Sequence, residues 1–183
     1  AFGQGWAGRV FAADVTGLTY VIAAVFAVGL GLAFAAGWRL SREIACAAGG
    51  RDCARGWAGG YLQAARRPGT DRASLAAALR IRIGARLAPV RHVAAGLVML
   101  GLIGTVLGFI LALSGISASM ATSVSAVSGM ITQLIAGMSV ALYTTLEGAV
   151  LSLWLTVNHQ MLTGAAAELV SFLLITGERD GRD

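Results

Sequence analysis

Three long, predominantly apolar runs dominate the chain, at residues 15–38, 93–113 and 137–157. Each supplies the ~20 residues that a helix needs to cross the hydrocarbon core of a bilayer. The pattern predicts an all-α membrane protein with three transmembrane helices. Residues 114–136 carry no charge but are rich in Ser, Thr and Ala. Their first half is too polar for a fourth span, so they read as an outward-facing turn followed by an extension of the third helix.

The period changes between the first two spans. Residues 39–92 read as a helical hairpin, with Arg66-Arg67-Pro68-Gly69-Thr70 as its turn, because Pro and Gly interrupt both flanking helices. Thr70 or Asp71 is placed to cap the second helix. Ala76, Leu79, Ile83, Leu87 and Val90 then recur at three- and four-residue steps, the spacing of one apolar helix face. Arg80, Arg82, Arg86 and Arg91 fill much of the remaining surface, and Pro89 is predicted to bend the helix.

Composition supports this class. The chain is 57% hydrophobic and 13% charged, outside the usual range of soluble domains. Its net charge of +5 would suggest nucleic acid if spread along a soluble face. Instead, all 14 basic residues are arginine, and eleven lie between Arg39 and Arg91, beside only three acids, Glu43, Asp52 and Asp71. An arginine surplus in one short loop orients a membrane protein. The hairpin is therefore expected in the cytoplasm, with residues 1–14 outside the membrane and residues 158–183 inside as a cytoplasmic tail. Trp38 and Trp154 then fall at the inner interface and Tyr20 at the outer one. Cys46 and Cys53 match no metal spacing and read as reduced thiols. No nucleophile–base set or metal cluster stands out, so neither an enzyme nor a resident cofactor is expected.

Candidate chemistry lies in the second and third spans. Thr105 lies 13 residues beyond His92 and Thr145 lies 13 before Asn158. In two antiparallel helices rising ~1.5 Å per residue, their hydroxyls should share one depth. Gly101, Thr105, Gly108 and Ala112 share a face of one helix, and Gly104 adds another small residue beside it. Gly137, Ala141, Thr145 and Ala149 form a similar stripe on the other. Two readings fit: close helix packing through small residues, or a smooth, weakly polar pore wall. Glu147 is more demanding, because an ionisable group at membrane depth costs several kcal/mol unless paired or wetted. It points about 200° away from Thr145 on an ideal helix, while Tyr143, one turn back, is within hydrogen-bonding reach. A proton-binding site and a protonated group joining neighbouring subunits both remain open for it.

The phrase Gly-Thr-Val-x-Gly at residues 104–108 and the run Met138-Ser139-Val140-Ala141-Leu142-Tyr143-Thr144-Thr145 resemble the last two membrane helices of the MotA/TolQ/ExbB proton-channel family. The likeness extends more loosely over residues 19–40. It implies a homopentamer around a dimer of a single-span ExbD/TolR/MotB-like partner, whose membrane aspartate carries the ion. By position, Thr105 and Thr145 match the family's pore threonines. Thr144 matches a further hydroxyl of the motor-type branch. The implied function is ion flow converted into rotation or force, with proton as the ion and sodium as the alternative. Val140 stands where the ExbB-like branch often has glutamate, so no role for Glu147 is borrowed. Three spans favour the ExbB/TolQ branch, whereas Ala-Leu-Tyr-Thr-Thr favours the flagellar stators. The competing reading is a structural scaffold that oligomerises through its small-residue faces and conducts nothing.

Overall fold

The computed structural model describes residues 17–48, 56–65, 72–114 and 124–179, and all the regular structure among them is helical. Helix α1 spans Leu18–Ala48, α2 Trp57–Ala65, α3 Arg72–Ser114 and α4 Val124–Arg179. Among the described residues, three stretches are long and apolar enough to cross a membrane: Leu18–Ala45, Ala73–Ser114 and Val127–Ile175. The Pro-Gly turn with its caps, Cys53 and the loop at 115–123 lie outside the described residues, as does the side chain of Cys46.

The helices outrun the apolar segments that predict them. Helix α3 carries Pro89 inside it and continues beyond, although a proline removes one backbone donor and crowds the preceding turn. Helix α4 has 56 residues, about 84 Å at helical rise, far more than the ~30 Å hydrocarbon core. Its last third is therefore a packed helix where the sequence suggested a tail. The reason is visible in Leu162, Ala166, Leu169, Val170 and Leu173, which extend one apolar stripe at helical spacing.

The chain divides into two compact units, and α1, α3 and α4 each contribute to both. The first comprises residues 1–28 and 92–154. Its interior is narrow and built from Ile22, Ala94, Leu97, Ala112, Val140 and Ala141, with Thr19, Thr144 and Ser152 buried among them. Its outer faces carry exposed Phe109, Ile110, Leu142, Leu146 and Leu153. That much apolar surface calls for lipid or another protein.

The second unit comprises residues 29–91 and 155–183. All four helices meet in its core. Leu40 comes from α1, Tyr61 from α2, Leu79 and Leu87 from α3, and Ala166, Leu169, Val170 and Leu173 from α4. The face predicted for residues 76–90 is the face that packs: Leu79, Leu87 and Val90 are buried and Ala76 and Ile83 half-buried. Arg80, Arg82, Arg86 and Arg91 are exposed.

Candidate functional site

In the first unit α3 and α4 run antiparallel along a seam of small residues. Contacts progress from Ala94 beside Ser152 to Ala112 beside Gly137. A Cβ at Gly137 would lie 2.5 Å from Ala112 N and 2.6 Å from Gly108 O. One at Gly108 would lie 2.7 Å from Gly137 O and from Ala141 N. At these crossings only hydrogen fits, and the backbones approach until they touch. Such contact supplies the dispersion energy that replaces hydrophobic association inside a membrane. Further along, Gly148 meets Leu97 O and Gly101, while Gly104 receives the side chain of Thr144.

The hydroxyls lie along this seam. Thr145 Oγ1 donates to Gly101 O at 3.1 Å, crossing between helices. Thr105 Oγ1 donates to Leu102 O at 2.6 Å, one carbonyl along on the same helix. Within α3 the Gly101 carbonyl is also the α-helical acceptor for the Thr105 amide. Thr105 and Thr145 thus donate to consecutive carbonyls of α3. Both are half-buried, at the edge of the seam. Thr144 differs: it is only 1% exposed, and its hydroxyl donates back to Val140 O at 2.9 Å and to Ala141 O at 3.2 Å. Gly101, Gly104, Gly108, Ala112, Gly137 and Ala141 are all buried.

Two sequence-selected groups lie off the seam. Ala149 is exposed, and Gly148 occupies the packing position beside it. Tyr143 and Glu147 are both half-buried, one turn apart on α4, with Glu147 Oε2 shielded from solvent. Sequence reasoning also passed over two buried polar residues. Ser152 Oγ donates to Ala94 O at 2.7 Å, a second bond between α3 and α4. Its signal was available, since Ser152 follows Gly148 by four residues and prolongs the ladder. Thr19, 1% exposed, stands in the first turn of α1, where periodicity gives no warning.

A small-residue helix pair with paired hydroxyls is a packing motif that many membrane proteins could use, so the pattern over a longer stretch decides. The description that matches is the MotA/TolQ/ExbB proton channel family, over residues 59–173. The chain belongs to that family. A search of curated proteins and a search of solved structures gave no match. The match begins within α2, covers all of α3 and ends at Leu173 in the core of the second unit. It therefore includes the seam and every candidate hydroxyl on it. Together with three helices capable of spanning a bilayer, membership makes this a multi-pass membrane protein of a channel-forming family.

Proposed function

We propose that the chain is the ion-conducting subunit of a force-generating complex in the bacterial inner membrane. Five copies would surround a dimer of a single-span ExbD/TolR/MotB-like partner, with the arginine-rich hairpin and the C-terminus in the cytoplasm. The partner's carboxylate would take up a proton beside Thr105 and Thr145, with Thr144 bracing the wall behind them, and release it on the cytoplasmic side. Each charge crossing the membrane supplies about 2.3 kcal/mol per 100 mV, and many crossings in turn can drive rotation.

One observation carries this reading: two half-buried hydroxyls sit on consecutive carbonyls of α3, at the positions the family resemblance marks. Each hydroxyl donates to a backbone oxygen and keeps its lone pairs as acceptors, which in this reading serve a protonated carboxyl or water. The same packing weakens the scaffold alternative. Gly108, Gly137 and Gly148 spend their small faces on contacts within one chain, so these are not surfaces free to bind other copies. The outward faces are bulky instead.

Thr145→Val removes the hydroxyl and keeps the shape. The complex, co-purified with its single-span partner and reconstituted in vesicles, should retain its stoichiometry and lose potential-driven proton uptake. Uptake at the unsubstituted rate would refute a role for this hydroxyl in the pathway. Repeating the assay without sodium at constant pH separates the two candidate ions.

A further inference from the structure

The second unit holds two adjoining cavities that ion conduction does not use. The larger, about 480 Å³, lies among α1, α2 and α3, lined by apolar Tyr61 and Leu79 and by basic Arg82 and Arg86. The smaller, about 180 Å³, lies chiefly between α1 and α3. Arg86 lines both. We infer that the two cavities form one site for an anionic phospholipid, the phosphate held by Arg86 and its neighbours and the start of an acyl chain lying in the smaller groove.

The argument begins with polarity along the groove. On α1 its lining runs from Leu32 and Ala35 to Arg39 and Leu40; on α3 it runs from Val90 and Pro89 through Arg86 to Ile83. The two helices contribute in opposite chain directions, yet each brings one exposed arginine to the same half of the groove, beside the more deeply set Leu40 and Ile83. Leu32 and Ala35 belong to the first apolar run, and Val90 adjoins the second. The apolar end thus continues into the hydrocarbon segments, and Arg39 directly follows the first run. A lipid has this same order of parts, and basic pockets between membrane helices are known to hold anionic headgroups.

Charge and size narrow the occupant. Arg82 and Arg86 are four residues apart on one helix face, both exposed, and Arg39 adds a third guanidinium in the smaller cavity. Guanidinium forks suit phosphate oxygens geometrically. Glu43 also borders the larger cavity, its carboxylate lying against Gly56 at the start of α2, where a Cβ would fall 2.5 Å from Oε2. The smaller groove is below the ~300 Å³ that encloses a whole drug-sized ligand. It suits one segment of a molecule whose remainder lies in the bilayer.

The test is lipid binding to the full chain purified in detergent, read by native mass spectrometry with phosphatidylglycerol, phosphatidylcholine and inorganic phosphate as probes. Phosphatidylglycerol should bind selectively. Arg86→Gln should weaken it about tenfold, the loss of one charge-assisted pair. Ala35→Phe, which fills the groove from an exposed position, should weaken it comparably. Arg80→Gln, exposed but outside both cavities, should leave it unchanged. Equal binding of phosphatidylcholine would overturn headgroup recognition, and full competition by inorganic phosphate would replace the lipid with a soluble anion. An unaltered affinity in Arg86→Gln or in Ala35→Phe would overturn the phosphate or the chain placement respectively.

Discussion

Replacing Gly137 by alanine tests the seam most directly. Ordinary contact begins at about 3.4 Å, whereas the new Cβ would sit 2.5–2.7 Å from Ala112 N, Gly108 O and Ala112 Cα. All three are backbone atoms of α3, so no side chain can rotate away and the helices must part by several tenths of an ångström. Overpacking of this kind costs about 1–3 kcal/mol. Alanine also gains up to about 1 kcal/mol over glycine in a helix interior, which would mask part of the loss. Gly164→Ala supplies the reference, since that glycine lies in α4 with open space around its Cβ position. In detergent, Gly164→Ala should unfold at or above the midpoint of the parent chain, and Gly137→Ala clearly below it. The two should differ by about 1–3 kcal/mol, the strain alone, because the propensity gain is common to both and cancels. Equal midpoints would refute the close approach at Gly137 and the helix register built on it.

Two further outcomes probe the two units separately. Ser152→Ala removes a buried 2.7 Å bond to Ala94 O, and should cost about 0.6 kcal/mol, the usual scale for interhelical hydrogen bonds in membrane proteins; a loss above 2 kcal/mol by reversible unfolding would show that Ser152 does more than join two helices. Leu173→Ala empties a site that is 0% exposed in the four-helix core and should cost about 2–5 kcal/mol, which chemical denaturation of the purified chain can measure.

The three spans, the helical stretch after the Pro-Gly turn and the family were legible because each depends on repeated local signals. Twenty apolar residues specify a spanning helix wherever its neighbours lie, and Leu79, Ile83 and Leu87 mark a buried face by period alone. Two threonines at equal distances from their span ends were enough to expect a shared depth, whereas their acceptors, Leu102 O and Gly101 O, are visible only in the folded helix pair. What the sequence could not rank was the set of adjacent small residues. Thr144 and Thr145 are about 100° apart on a helix, and both neighbour glycines or alanines at plausible steps. Which one faces the partner helix depends on the rotation of α4 about its own axis.

The sequence by itself determined the helices, their capacity to cross a membrane and the channel family, since hydropathy and local phrase need no knowledge of neighbours. Only the tertiary structure decided that Gly148 rather than Ala149 carries the close contact and that Thr144 is buried while Thr145 bonds across the pair. It also joined Ser152 to the seam and gathered arginines from α1 and α3 around one amphipathic pair of cavities. These features depend on helix rotation and register, which are settled by where two backbones can touch without a Cβ between them.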